Sequence, residues 1–132
     1  MDWLTYHKAS EAYATKAHTA LSDGRNHDAE KLFRRAAAAE ERALLQLNPA
    51  KIRTFGITAV SAASLWFKGR DLPRAARLVQ RCLTQPDLLP PARAQLEELR
   101  SVIPSVTAQP ASVTPPPSSD APAGHLKRWA WC

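Results

Sequence analysis

The chain has 132 residues, eleven of them proline and only two of them cysteine, and carries a net charge of +6 with a pI near 9.8. That length holds one domain with a modest core, and the crowding of proline toward one end divides it into about a hundred folding residues and a tail. No stretch of eighteen apolar residues is present, which excludes a membrane-spanning helix. The start Met1-Asp2-Trp3-Leu4 lacks a basic n-region and an apolar h-region, so a reducing cytoplasm is the expected compartment.

From Trp3 to Ser22, the residues Trp3, Tyr6, Ser10, Tyr13, Ala14, Ala17, Ala20 and Leu21 share one face at helical spacing. Asp23-Gly24 predicts the end of this helix, because glycine takes the left-handed position after a helix without steric cost. A second helix is expected from Asn26, a good N-cap residue, to Leu47. Its inner face is Ala29, Leu32, Phe33, Ala36, Ala37, Ala39, Ala43, Leu44 and Leu47. It stops at Asn48-Pro49, where the ring disfavours a helical predecessor.

The third segment, Ile52 to Phe67, is apolar almost all round, with Arg53 as its only charge between Lys51 and Lys68. Such a helix belongs at the centre of its fold. Burying Phe55, Trp66 and Phe67 contributes roughly 1.5–3 kcal/mol each, so the other helices have a substantial surface to cover. After Gly69 and Asp71, a fourth helix sets Leu72, Ala75, Ala76, Leu78, Val79, Cys82 and Leu83 on one side, with Pro73 in the first turn. A fifth helix opens at Pro90-Pro91 and turns Ala92, Leu96, Leu99 and Ile103 inward as a cap. Five helices with short connections and no strand signal predict an all-α antiparallel array over residues 1–104.

Two of these hairpins share a small repeat. Gly24-Arg25-Asn26-His27-Asp28-Ala29, followed by Phe33 and Ala36, parallels Gly69-Arg70-Asp71-Leu72-Pro73-Arg74-Ala75, followed by Val79 and Cys82. With Ala17 and Ala63 at the small position of the preceding helices, this resembles the tetratricopeptide-repeat (TPR) family over about Ser10 to Leu83. The alanines Ala29 and Ala75 lie 46 residues apart rather than the usual 34 or so, because the second and third helices are long. The resemblance implies TPR-like helical hairpins and a non-enzymatic module that binds a protein or peptide. It implies no catalytic residue.

Residues 105–124 change composition abruptly to Ser, Thr, Ala, Val and Pro, with Pro115-Pro116-Pro117 in the middle and Asp120 as the only charge. Such a composition predicts a disordered, partly polyproline linker, with a reach of roughly 60 Å. It leads to residues 125–132, where Trp129, Trp131 and Cys132 stand beside Lys127 and Arg128. Exposed tryptophans so concentrated point to a recognition peptide. The layout is also similar to precursors of ribosomally made, enzymatically modified peptides. In that alternative the helical domain is the leader that docks a peptide-modifying enzyme, and Trp-Ala-Trp-Cys is the modified core.

No phosphate-binding glycine loop or nucleophile elbow is present. The pairs Glu40-Glu41 and Glu97-Glu98 read as solvated edges of their helices. His7 and His18 share a helix side but stand about 16 Å apart, too far for a common metal. Cys82 has the neighbours of a small core residue. Catalytic residues, metals and cofactors are therefore not expected.

The row Arg70, Arg74, Arg77 and Arg81, spaced i, i+4, i+7 and i+11, is the candidate partner-binding surface, since aligned guanidiniums engage carboxylates in bidentate fashion. The expected partner is a protein or peptide of acidic character. Nucleic acid is the weaker option, because no aromatic residue in the sequence of the stripe interleaves with it to stack on bases.

Overall fold

The computed structural model describes residues 2–48 and 50–108. Five helices follow one another, α1 Trp3–Ser22, α2 Asn26–Gln46, α3 Ile52–Lys68, α4 Leu72–Leu83 and α5 Pro90–Ala108, with no strand among the described residues. The all-α architecture read from periodicity is thus the one observed. No described helix is long and apolar enough to cross a membrane. The C-terminal peptide, with Trp129, Trp131 and Cys132, lies outside the described residues, as does residue 109 onward.

Consecutive helices run antiparallel, which the contacts make plain: His7 meets Glu40 while His18 meets Phe33, and Ser61 meets Glu40 while Gly69 meets Arg34. Helix α3 packs on α2, α4 and α5. From Thr58 to Phe67 every residue of it is buried, which accounts for its lack of a polar face. Arg53 and Ile57 of its first turns are exposed, and Lys68 at its end is half-buried. Helix α5 covers the α3–α4 hairpin with Ala92, Leu96, Leu99 and Ile103, all buried. Arg93 of α5 donates to the carbonyls of Leu83 and Gln85, both at 3.1 Å, so a cation closes the C-terminal end of α4.

The two hairpin turns are superposable in hydrogen bonding. After α1, Arg25 N donates to Ala20 O at 2.8 Å and Gly24 N to Leu21 O at 3.1 Å; after α3, Asp71 N donates to Trp66 O and Arg70 N to Phe67 O, both at 3.0 Å. Each is a Schellman closure, and each partner is displaced by the same 46 residues. The left-handed residue is Gly24 (φ 79°) in the first turn and Arg70 (φ 65°) in the second. Gly69, whose φ is −76°, therefore serves space rather than conformation. A Cβ there would stand 2.9 Å from the backbone nitrogen of Arg34, and Arg34 Nη1 donates to the Gly69 carbonyl at 2.6 Å.

Two expectations are corrected. Asn26 is the first helical residue of α2, not its cap; the cap is Arg25, which makes no side-chain capping bond. Glu40 is not a solvated edge residue but 1 % exposed, because it continues the inward row Phe33, Ala37, Leu44 at helical spacing.

Candidate functional site

Two polar constellations are built from several helices. The first joins α1, α2 and α3. His7 Nδ1 lies 2.9 Å from Glu40 Oε1, Ser61 donates to the same carboxylate, and Trp3 stacks on the His7 ring at 4.7 Å while its Nε1 donates to Thr58 at 3.1 Å. Burial pushes the Glu40 carboxyl above its ordinary value, against the opposing pull of His7 and Ser61. Ser61, His7 and Glu40 hold the residue types of a hydrolytic triad without its connectivity. The serine donates to the carboxylate and not to the imidazole, so no base is placed to take its proton. This cluster fastens the start of α1 to the two helices beneath it.

The second constellation lies at the outer face of α4. Trp66, 3 % exposed, donates from Nε1 to Glu41 Oε1 at 2.8 Å, and the other carboxylate oxygen accepts from Arg81 Nη2 at 3.2 Å. Arg74 lies over the Trp66 ring, 4.9 Å from its centroid, and its Nε is 3.4 Å from Asp71. Asp71 also caps α4, accepting from the Arg74 amide. Glu41, read from the sequence as a solvated edge, is thus half-buried and ties α2 to α3 and α4. Stacking a guanidinium on an indole and bonding the indole N–H to a carboxylate are both favourable at a half-covered surface.

Around these residues runs an open, shallow groove of about 870 Å³, lined by Glu41, Arg74, Arg77, Gln80, Arg81 and Thr84 among others. Three of the four arginines singled out by spacing line it, on the exposed side of α4. Arg70 does not. It occupies the turn before α4 in left-handed conformation, so the helical spacing i, i+4 does not extend back to it. Arg77 is exposed and has neither of the arrangements that engage Arg74 and Arg81.

The linkage of Trp66, Glu41, Arg81 and Arg74 has no trace in local spacing, since it joins three helices across sequence separations of up to 40 residues. Glu40 did have a signal, its place on the inward row. His7 had one too, on the row Trp3, Ser10, Ala14.

Cys82 is buried and its thiol is pushed up to about 11 by burial, the state of a core residue and not of a nucleophile. Burial, with Lys68 nearby, holds His18 below its ordinary value. Among the described residues, no three His, Cys, Asp or Glu side chains gather as a metal set.

Against protein-family models, curated proteins and solved structures, the chain shows no match.

Proposed function

We propose that this protein is a non-enzymatic helical-repeat module that binds a protein or peptide partner along the outer face of α4. The observation that carries this reading is the open groove rimmed by three guanidiniums, Arg74, Arg77 and Arg81, with one carboxylate, Glu41, at its wall. An excess of cations held on one rigid helix favours an acidic partner, because a fixed guanidinium loses little freedom on pairing. Paired hairpins with one repeated turn resemble the helix pairs of TPR modules, which supports an interaction role. The cytoplasm suits the buried, reduced Cys82.

The test is a quantitative pull-down from the native cell, comparing the wild type with the variant Arg74→Gln, Arg77→Gln, Arg81→Gln. Recovery of the specific partner should fall roughly tenfold or more, since each lost charge-assisted hydrogen bond weakens binding by about 1.5–3 kcal/mol. Helicity should be retained and the effect should shrink at high salt. Equal recovery by both proteins would return the arginines to an ordinary solvated face.

A further inference from the structure

The groove along α4 contains a competition that the row of arginines alone does not disclose. Arg81 is held at 3.2 Å by Glu41, and Arg74 is divided between Asp71 and the Trp66 ring. Arg77, between them on the same exposed side, has the whole of its guanidinium to offer. Arg77 and Arg81 are separated by four residues of helix, about 6 Å along the axis. Alternate residues of an extended chain project to the same side about 6.6–6.8 Å apart. The two intervals match closely enough for side-chain flexibility to absorb the difference.

We propose, on the reading that α4 is the partner face, that the groove receives an extended acidic peptide segment. Carboxylates at alternate positions of that segment pair with Arg77 and Arg81, and Glu41 is a built-in competitor that must release Arg81 for the second pair to form. Charge complementarity selects the occupant. Residues 105–132 of the chain itself offer one acidic side chain, Asp120, beside the cations Lys127 and Arg128, and so do not complement the groove. A nucleic acid strand fits less well, because the one aromatic ring at the site, Trp66, is buried beneath Arg74 and presents no face to a base.

Competition by a fixed carboxylate makes a prediction opposite in sign to that of the arginines. In Glu41→Gln the amide oxygen still accepts from Trp66 Nε1, while the charge that holds Arg81 is gone. Fluorescence anisotropy of the full chain with two labelled octapeptides, each of three glutamates among serines, decides the matter: an alternating peptide with glutamate at its first, third and fifth positions and a spaced peptide with glutamate at its first, fourth and seventh, which places no two carboxylates at alternate positions. The alternating peptide should bind the wild type about threefold more tightly than the spaced peptide, and Glu41→Gln should tighten it by about threefold more, the scale of one partly exposed ion pair. Arg77→Gln should weaken it about tenfold; this residue is exposed, and a surface substitution of this kind leaves the fold in place. Equal binding of the two peptides, or no binding of either, would overturn the inference. The arginine dependence of the pull-down would then decide separately whether α4 is the partner face. Unchanged or weaker binding by Glu41→Gln, with an unaltered melting temperature, would overturn the competitor role. An eight-nucleotide oligothymidylate that bound more tightly than the alternating peptide and lost affinity in Arg77→Gln would overturn the peptide in favour of nucleic acid.

Discussion

Glu40 is a carboxylate placed where an alanine or leucine would satisfy the pattern of its helix. Its burial raises its pKa above the ordinary 4.5 despite the hydrogen bonds from His7 and Ser61, so the folded state holds this proton more tightly than the unfolded chain does. Such a group contributes stability that is full below the unfolded value and is lost as pH rises through the folded one. Glu40→Gln has no proton to lose. Its stability relative to the wild type should therefore improve steadily as pH is raised from below 4.5 toward neutrality, read as the difference in urea midpoint at each pH. A difference that stayed constant, or moved in favour of the wild type, would show that the His7 pair outweighs the burial. Nothing in the composition distinguishes Glu40 from its neighbour Glu41. What distinguishes it is its place seven residues after Phe33 and four before Leu44, a position where period outranks polarity.

At the scale of elements, the two hairpin turns use the same hydrogen bonds with different residues in the left-handed position. Gly24 adopts φ 79° with nothing within 4 Å of an added Cβ, whereas Arg70 adopts φ 65° with a full side chain. Left-handed backbone costs an L-residue roughly 1–2 kcal/mol relative to the right-handed form. Arg70→Gly should therefore stabilise the protein by about 1 kcal/mol after the added freedom of the unfolded chain is subtracted. Thermal denaturation followed by circular dichroism would show this as a rise of a few degrees; a fall would mean that the Arg70 side chain has a stabilising contact of its own. The same turn explains why the sequence repeat reads ambiguously as five or six residues from glycine to alanine. The glycines Gly24 and Gly69 are not equivalent, and the residue matching Gly24 is Arg70. In α3, Trp66 unites three elements through its packing, its bond to Glu41 and the guanidinium above it. Trp66→Ala should cost about 3–5 kcal/mol. A melting temperature lowered by only a degree or two would contradict the central position of this helix.

For the molecule as a whole, four helix boundaries were legible because each rests on local chemistry, namely Asp23-Gly24, the approach to Pro49, Pro73 after Asp71, and Pro90-Pro91, whereas α5 runs to Ala108, past the end expected at 104. The choice of α3 as the central helix was legible for the same reason, since a segment without a polar face has one place to go. The clustering of Arg74 and Arg81 with Trp66 and Glu41 was not, because it depends on the approach of α2 and α4 across α3. That approach is set by small residues at the crossings rather than by any motif. The same effect is measurable at the neighbouring α3–α5 crossing, where a Cβ added at Gly56 would stand 2.8 Å from that of Ala92. A site made this way is specified by distances between helices, and side-chain spacing along one helix records only half of it.

The order of packing along the chain bears on how this structure is reached. Helix α1 packs on α2, α2 on α3, α3 on α4 and α4 on α5, with α3 to α5 as the one strong contact that skips a helix. Most of the loops to be closed are therefore short, and the entropy of closing each is offset at once by the hairpin it forms. Trp3 and Thr58, 55 residues apart, are an exception, and their bond needs α1, α2 and α3 already in place. The chain can thus condense one hairpin at a time, with the docking of the first turn of α1 onto α3 among its late events.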